Sequence, residues 1–488
     1  MVTLQVALLW TIGYAFFVFH GLSFHLTPWS QAFINAIVKY SYGTAGKTDT
    51  TVVLFREENL RLLGISYPVP YGVHAQVLEA IASYGPRAIF VDFAFIDDRP
   101  GEDELKGALC ALKPPEASVS IPVFLAAPAG ATVRAKLVEC ARTASPEIDE
   151  NVGVSGVLTY PPRARAGGPR TAAFELALTN PTLGLDDHAT ESPLEIIWGK
   201  GVHPLNRRFM KCEEPSLLQG IKHMLTHGPL ANKLACPYTR TITVGQLLGF
   251  SADLDVVNAL RRRTVFYGAG FRLTGDVVAS PVYAEMPGVY VHAMAYDNLV
   301  TFGRHYKRAV RAGVGARIID ALLLLVASLL LVRYPRTPRP GAQSFAQLRA
   351  GLRRQALAGA AAVVVLVGLS WAGGFDLGLL AIVLAYVLYR WLVSKDLGFV
   401  LLVIITMATA LFYYYVMDLG PRNILAFLVF FEVVRHAEKH LRELAERYFA
   451  LKAREEGERE GPMWRLADAF LARYAESETH HHPQEIRQ

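Results

Sequence analysis

The sequence predicts an α/β extracytoplasmic domain, with a mainly parallel sheet and helices on both faces, joined to an all-α transmembrane bundle of about six helices. Three observations predict this organisation. Charged residues make up only 19% of the 488 residues, and the mean hydropathy is +0.26. Apolar residues concentrate in one N-terminal run and in a dense block from 313 to 434. Between these regions, strand-like apolar runs alternate with amphipathic helical patterns.

The N-terminal run, residues 1–20, is long enough to cross a bilayer, which takes about 20 helical residues. No Lys or Arg precedes it and no small-residue cleavage site follows it, so we predict an uncleaved transmembrane anchor. Residues 21–312 then form the α/β domain.

The elements of this domain follow one another regularly. TVVLF at 51–55 and AIFVDFAF at 88–95 are typical of buried strands, and VHAQVLEAIASYG at 73–85 has helical spacing. DELKGALCAL predicts the next helix and IPVFLAAP the next strand. This order predicts βαβ crossovers and therefore a mainly parallel sheet. Five later pieces fit the same scheme of alternating strands and helices: NVGVSGVLTY, LEIIW, TVGQLLGF, TVFYGAG and VYVHAMAYDNLV, the last of which is strand-like around His292.

The string AGKT at 45–48 looks like part of a phosphate-binding loop. Such a loop needs a glycine where Ser41 stands, and it needs a helix where a strand-like run follows. We therefore predict a polar turn at this point.

Ligands of open parallel sheets bind outside the carboxyl ends of the strands. Six residues end or follow predicted strands and are the ligand-binding candidates: Glu57, Asp92, Asp97, Gly268, Gly270 and Asp276. Asp92 and Asp276 suit turn and helix caps equally well. We find no nucleophile beside a base and no metal-ligand cluster. The sequence therefore predicts no catalytic residues, no metal and no cofactor.

Four cysteines, Cys110, Cys140, Cys212 and Cys236, all lie in the middle region. An even number within one domain suggests disulfides in an oxidising compartment. Pairing Cys110 with Cys140 and Cys212 with Cys236 closes the shortest loops, although three connectivities exist and four buried thiols are also consistent with the pattern.

The stretch from Gly275 to Arg311 joins this domain to the apolar block. Within it, Pro287, Gly288 and His292 form a predicted signal joint. His292 falls in a strand-like run, where a core histidine is the default interpretation and a proton-sensing switch is the alternative.

The apolar block predicts helices at 313–332, 356–372, 376–393, 397–417 and 422–434. The last is short, so whether it spans fully stays open. Residues 333–355 contain six arginines and no acid, which places this loop in the cytoplasm and the α/β domain on the other side. The net charge of +6 is mostly arginine beside apolar segments, so topology explains it better than nucleic-acid binding does.

In the tail at 435–488, apolar residues recur at intervals that alternate between three and four positions, and charged residues surround them. These apolar residues are Leu441, Leu444, Tyr448 and Leu451. This stripe predicts a coiled coil or a helix that docks on a partner. A solvated helix that packs on a neighbour fits it as well.

Two long stretches carry a family resemblance. They are LFREENLRLLGISYPVPYGVHAQVLEAIASYGPRAIFVDFAF and TVFYGAGFRLTGDVVASPVYAEMPGVYVHAMAYDNLVTFG. Together they resemble the start and end of a CHASE domain of type 2, the extracytoplasmic sensory module of bacterial receptors linked to cyclases and histidine kinases. The resemblance covers roughly residues 20 to 395 and implies one helix before the domain and three after it. The chain departs from the family pattern at Arg56, where an acid is common, and at Val69 and Tyr71, which replace Trp and Arg.

The resemblance implies a multi-pass protein of the bacterial inner membrane, with a periplasmic domain and a cytoplasmic C-terminus. Family members usually end in a cyclase or kinase, which the roughly fifty residues after 434 are too few to form. We therefore expect a non-enzymatic sensor that passes a signal through its membrane helices to a separate cytoplasmic partner. The alternative is a structural subunit of a larger envelope complex. The expected partners are membrane lipid and another membrane or cytoplasmic protein, with a second copy of the chain as a further candidate and no nucleic acid.

Overall fold

The computed structural model describes residues 42–112, 120–148, 159–164, 168–187, 191–199, 202–210, 237–249, 253–271, 276–278 and 286–309. The predicted anchor, the predicted membrane helices and the tail lie outside these ranges, as do Cys212, Cys236, Leu441, Leu444, Tyr448 and Leu451. None of the helices within these ranges is both long and apolar enough to cross a membrane.

The described strands are, in chain order, β1 (Thr50–Phe55), β2 (Ala88–Ala94), β3 (Val123–Ala126), β4 (Arg142–Ala144), β5 (Thr159–Tyr160), β6 (Leu194–Glu195), β7 (Arg240–Thr243), β8 (Thr264–Ala269), β9 (Val277–Val278) and β10 (Met286–Pro287). Six of them form the main sheet in the order β4-β3-β2-β8-β1-β7, and every pair in it is parallel. The predicted α/β domain with a mainly parallel sheet is confirmed.

The described α-helices are α1 (Ala45–Asp49), α2 (Glu57–Leu63), α3 (Tyr71–Ala82), α4 (Glu102–Ala111), α5 (Ala135–Val138), α6 (Ala172–Thr179), α7 (Pro204–Met210), α8 (Val244–Gly249), α9 (Leu254–Leu260) and α10 (Val289–Phe302). They cover both faces of the sheet. Helices α6 and α10 pack in one core, and helices α3, α4, α8 and α9 pack in the other. Short 3₁₀ turns follow α6 at Pro181–Leu183 and α10 at Gly303–His305.

The central strands are mainly apolar because both of their faces are covered. In β1, Val52 and Leu54 belong to the core under α10, whereas Val53 and Phe55 belong to the core under α3. Side chains of a strand alternate between its two faces. A continuous apolar run is therefore the expected sequence for a strand between two helical layers.

Helix α10 corrects one prediction. VYVHAMAYDNLV was expected to be a strand but forms most of this helix, and every residue from Val289 to Leu299 is buried. A helix that is enclosed on all sides shows no apolar stripe of period 3.6. Its sequence therefore looks like that of a buried strand.

Of three other stretches, two differ from the prediction and one fits it. LEIIW contributes only β6, which pairs antiparallel with β5 outside the main sheet. TVGQLLGF contains the end of β7 and then helix α8, which fits the predicted alternation of strands and helices. The AGKT string lies in α1 and not in a turn.

The predicted disulfide between Cys110 and Cys140 is present, with its Cα atoms 4.8 Å apart. It joins the last turn of α4 to the residues that follow α5. No free cysteine occurs among the described residues.

Candidate functional site

A cavity of about 310 Å³ opens at the carboxyl ends of β2 and β3, beside the first turn of α10. Ligands of parallel sheets bind at this edge. The residues around the cavity come from strand ends, loops and a helix N-terminus: Asp92, Ala94, Ala126, Pro128, Pro146, Ile148, Asp276, Gly288 and His292.

Asp92 lies near the end of β2, and its side chain is 10% exposed. Within the described part of the chain its carboxyl has no hydrogen-bond partner. It does lie near Nε2 of His292, which is 3.9 Å from Oδ1. Burial, followed by the charge of Asp276, raises the pKa of Asp92 well above its ordinary value.

Asp276 also lines the cavity and lies just before the short strand β9. Its backbone oxygen accepts the N–H of Gly288 at 3.2 Å. A Cβ atom at Gly288 would stand 2.3 Å from Oδ1 of Asp276, so glycine leaves room for this carboxyl at the start of α10. Burial raises the pKa of Asp276 to about 6, and the nearby Gly288 N–H opposes this rise.

His292 lies one turn into α10 and is 2% exposed. Its Nδ1 shares a hydrogen bond of 2.7 Å with the hydroxyl of Tyr160, and its ring meets Phe90 edge to face. Burial lowers the pKa of His292 to about 3. The imidazole is therefore neutral near pH 7, which favours the core-histidine interpretation over a proton-sensing switch.

The remaining ligand-binding candidates lie elsewhere along the sheet edge. Gly268 pairs with Asp92, and a Cβ there would lie 2.7 Å from that of Val289, so this glycine lets α10 approach the sheet. Gly270 donates its N–H to the oxygen of Phe55 at 2.8 Å.

Glu57 is the first residue of α2, and Asp97 is exposed and pairs with Arg99 at 2.9 Å. None of Glu57, Asp97 and Gly270 lines the cavity. Two of the departures from the family pattern, Val69 and Tyr71, are buried, and the Tyr71 hydroxyl donates to the backbone oxygen of Asp97 at 2.7 Å.

A second polar cluster, which sequence reasoning missed, lies farther along α10. The Tyr42 hydroxyl donates to Oδ1 of Asp297, and Nδ2 of Asn298 donates to the Tyr42 oxygen at 3.1 Å. Asn298 also holds both backbone groups of Ile197, at 2.9 and 3.0 Å. We call Tyr42, Asp297 and Asn298 the clamp, because they tie the start of the described chain to α10.

Close packing supports the clamp. A Cβ at Gly46 would stand 2.3 Å from Cγ of Asp297, so α1 touches α10 directly. Asp297 is fully buried, and Oδ2 has no partner among the described residues. Burial raises the pKa of Asp297 to about 7. Two adjacent polar residues in an otherwise apolar run are the sequence signal that could have marked this site.

Comparison with protein families decides the identity of this domain. A family model described as the CHASE2 domain matches residues 7–332. The chain belongs to the CHASE2 domain family. CHASE2 domains are extracytoplasmic and sensory, so the resemblance inferred from the sequence is confirmed. No curated protein and no solved structure matches the chain.

The CHASE2 match begins and ends earlier than the stretch of resemblance, at 7 and 332 in place of about 20 and 395. It contains both the cavity and the clamp. The described residues of this CHASE2 domain hold no group of three or more His, Cys, Asp or Glu side chains that could bind a metal ion.

Proposed function

We propose that this CHASE2 protein is a non-enzymatic inner-membrane sensor. Its periplasmic domain, residues 21–312, binds a small ligand in the cavity between Asp92, Asp276 and His292. The signal passes along α10 to the membrane helices within 313–434 and changes how the tail, 435–488, holds a separate cytoplasmic partner. One observation carries this proposal: α10 borders the cavity at its first turn and holds the clamp in its second half.

The cavity and the clamp share one short rigid element. Gly288 and His292 line the cavity, and Asp297 follows five residues later. With a rise of 1.5 Å per residue, this separation is about 7.5 Å along the helix. Because α10 is enclosed in a close-packed core, a shift at its first turn displaces the clamp with it.

The clamp connects the two parts of the domain that lead toward the membrane. Tyr42 follows the predicted anchor, and α10 precedes the predicted helix at 313–332. The contact spans 255 positions of sequence. A ligand that moves α10 against α1 would therefore change the position of the first predicted membrane helix relative to the second. This supports Pro287, Gly288 and His292 as the receiving end of the signal joint.

The proposal is tested by filling the cavity in the full-length protein. Ala94→Leu adds apolar bulk to the cavity wall and mimics occupancy without a ligand. We expect it to change amide hydrogen exchange in peptides from 42–49 and 289–302, because both ends of the clamp respond to α10. The matched control is Ala111→Leu, which makes the same change at an exposed position of α4.

Unchanged exchange in both clamp peptides of Ala94→Leu would contradict signal passage through α10. The structural-subunit alternative predicts that outcome together with a partner held at fixed stoichiometry. Crosslinking of the full-length protein in membranes, with and without Ala94→Leu, measures this second quantity. A sensor changes its partner crosslinks when the cavity is filled.

A further inference from the structure

We propose that the cavity binds its ligand through a protonated amine held between the carboxyls of Asp92 and Asp276, with a short apolar chain against Ala94, Ala126 and Ile148. This inference names the ligand class of the site in the proposed function and rests on it.

The Asp92 side chain supplies the first argument. It is nine-tenths buried, lines the cavity and has no hydrogen-bond partner within the described residues. A carboxyl that keeps so little contact with water is costly to ionise, and its pKa is raised accordingly. An ammonium group has three donors and no acceptor, so it satisfies a carboxyl that the protein itself leaves unpaired.

The charge of the lining supplies the second argument. Among the described residues that line the cavity, two carboxyls and one imidazole are the ionisable side chains, and there is neither Lys nor Arg. The imidazole is neutral near pH 7, since burial lowers the pKa of His292 to about 3. A cation is the ligand charge that this lining favours, because it stabilises the ionised form of two carboxyls whose pKa values burial raises in the empty cavity.

The helix N-terminus does not reverse this preference. The first turn of an α-helix attracts anions. Here the Asp276 carboxyl already occupies that place, since a Cβ atom at Gly288 would stand 2.3 Å from its Oδ1. An anionic ligand would meet a carboxyl at the position where it needs a free N–H group.

An organic amine fits this cavity better than a metal ion. Within the described residues, no group of three or more His, Cys, Asp or Glu side chains could hold a metal. A cavity of about 310 Å³ is also much larger than one cation. Its remaining walls include the apolar side chains of Ala94, Ala126, Pro128, Pro146 and Ile148, which suit a short aliphatic chain.

The test uses the purified full-length protein in detergent at constant ionic strength. Propylammonium chloride is titrated while the melting temperature is recorded, and 1-propanol and sodium propionate serve as neutral and anionic matches. We expect a saturable rise in melting temperature with propylammonium alone. Calcium chloride and magnesium chloride test for a metal site.

Two variants locate the binding. Asp92→Asn keeps the shape of the side chain and removes its charge, and we expect a loss of affinity of about tenfold or more. Asp97→Asn changes an exposed carboxyl outside the cavity and should bind as the unaltered protein does.

Several results would overturn the inference: no saturable effect of propylammonium, an equal effect of propanol or propionate, tighter binding of calcium or magnesium, or full affinity in Asp92→Asn. The two proposals fail separately. If Ala94→Leu alters the clamp but no amine binds, the ligand class is wrong. If propylammonium binds but hydrogen exchange at the clamp stays unchanged, the sensor mechanism is wrong.

Discussion

Replacing Asp297 by asparagine tests the clamp through its pH dependence. Asp297 is fully buried, and its Oδ1 accepts from Tyr42 and, at 3.5 Å, from Thr301. Burial raises its pKa to about 7, so the fold favours the neutral carboxyl. The raised pKa of Asp297 contributes to the free energy of unfolding. This contribution is complete below the unfolded pKa of about 3.9, decreases as pH rises, and is fully lost once pH has passed about 7.

The expected magnitude follows from these two values. A shift of about three units, at about 1.36 kcal/mol each, sets a ceiling of roughly 4 kcal/mol. Between pH 5 and pH 8 the same linkage gives a loss of roughly 2–3 kcal/mol in the free energy of unfolding. An asparagine side chain does not titrate, so the Asp297→Asn variant lacks this loss.

The two stability curves should therefore converge and then cross. The substitution places an amide N–H₂ where Oδ2 has no partner among the described residues, which costs about 1–3 kcal/mol at every pH. We expect the stability difference to move by roughly 2–3 kcal/mol in favour of the variant between pH 5 and pH 8, where the variant should be the more stable protein. Urea unfolding of the full-length protein in detergent at pH 5, 6.5 and 8 measures the difference.

Other titrating groups cancel in this difference because both proteins contain them. Asp98→Asn, which makes the same change at an exposed carboxyl outside the clamp, is the matched control. A constant difference between Asp297→Asn and the unaltered protein across the range would refute the reasoning.

Three further predictions concern packing, the disulfide and ligand affinity. Gly268→Ala should lower the free energy of unfolding by about 1–3 kcal/mol, because the new Cβ would lie 2.7 Å from that of Val289. The control Gly107→Ala meets no atom within 4 Å and should not destabilise the protein. Urea unfolding compares the two variants, and equal stabilities would count against the packing of α10. Replacing Cys110 and Cys140 by Ser opens a loop with a separation of 30 residues, which should cost roughly 3–4 kcal/mol in the same assay; unchanged stability would contradict this. Propylammonium should bind more tightly at pH 8 than at pH 5.5, because the cation prefers the ionised forms of the two cavity carboxyls. The pKa values of both carboxyls are raised, that of Asp276 to about 6. Calorimetric titration measures the affinity at each pH, and weaker binding at pH 8 would contradict the prediction.

Much of the sheet could be predicted from the sequence. TVVLF, AIFVDFAF, IPVFLAAP and TVFYGAG all contain strands of the main sheet, because each is a short apolar run bounded by polar residues or glycine. The helix before AIFVDFAF was also found, because α3 is covered on one side only and keeps its helical spacing.

The site could be predicted only in part. Asp92, Asp276, Gly288 and His292 were singled out for their positions at strand ends or near the membrane, and the fold brings them around one cavity. Tyr160 was missed, because its hydrogen bond to His292 crosses 132 positions of sequence. No local pattern carries such a contact.

The contacts of the clamp could not be predicted from the sequence. Asp297 and Asn298 stand in a run that was interpreted as a strand, and alternation along a strand would have placed them on opposite faces. In a helix they follow one another around the axis, and Tyr42 meets both side chains. The mistaken element type therefore concealed the contact.

Coupling between the cavity and the clamp is measured most directly by a double-mutant cycle. The variants are Ala94→Leu in the cavity, Tyr42→Phe in the clamp and the two together, each in the full-length protein, and the free energy of unfolding is determined for these variants and the unaltered protein. If α10 links the two sites, the effects should deviate from additivity by more than about 0.5 kcal/mol. Effects that add to within about 0.3 kcal/mol would show that the two sites are independent and would contradict signal passage through α10.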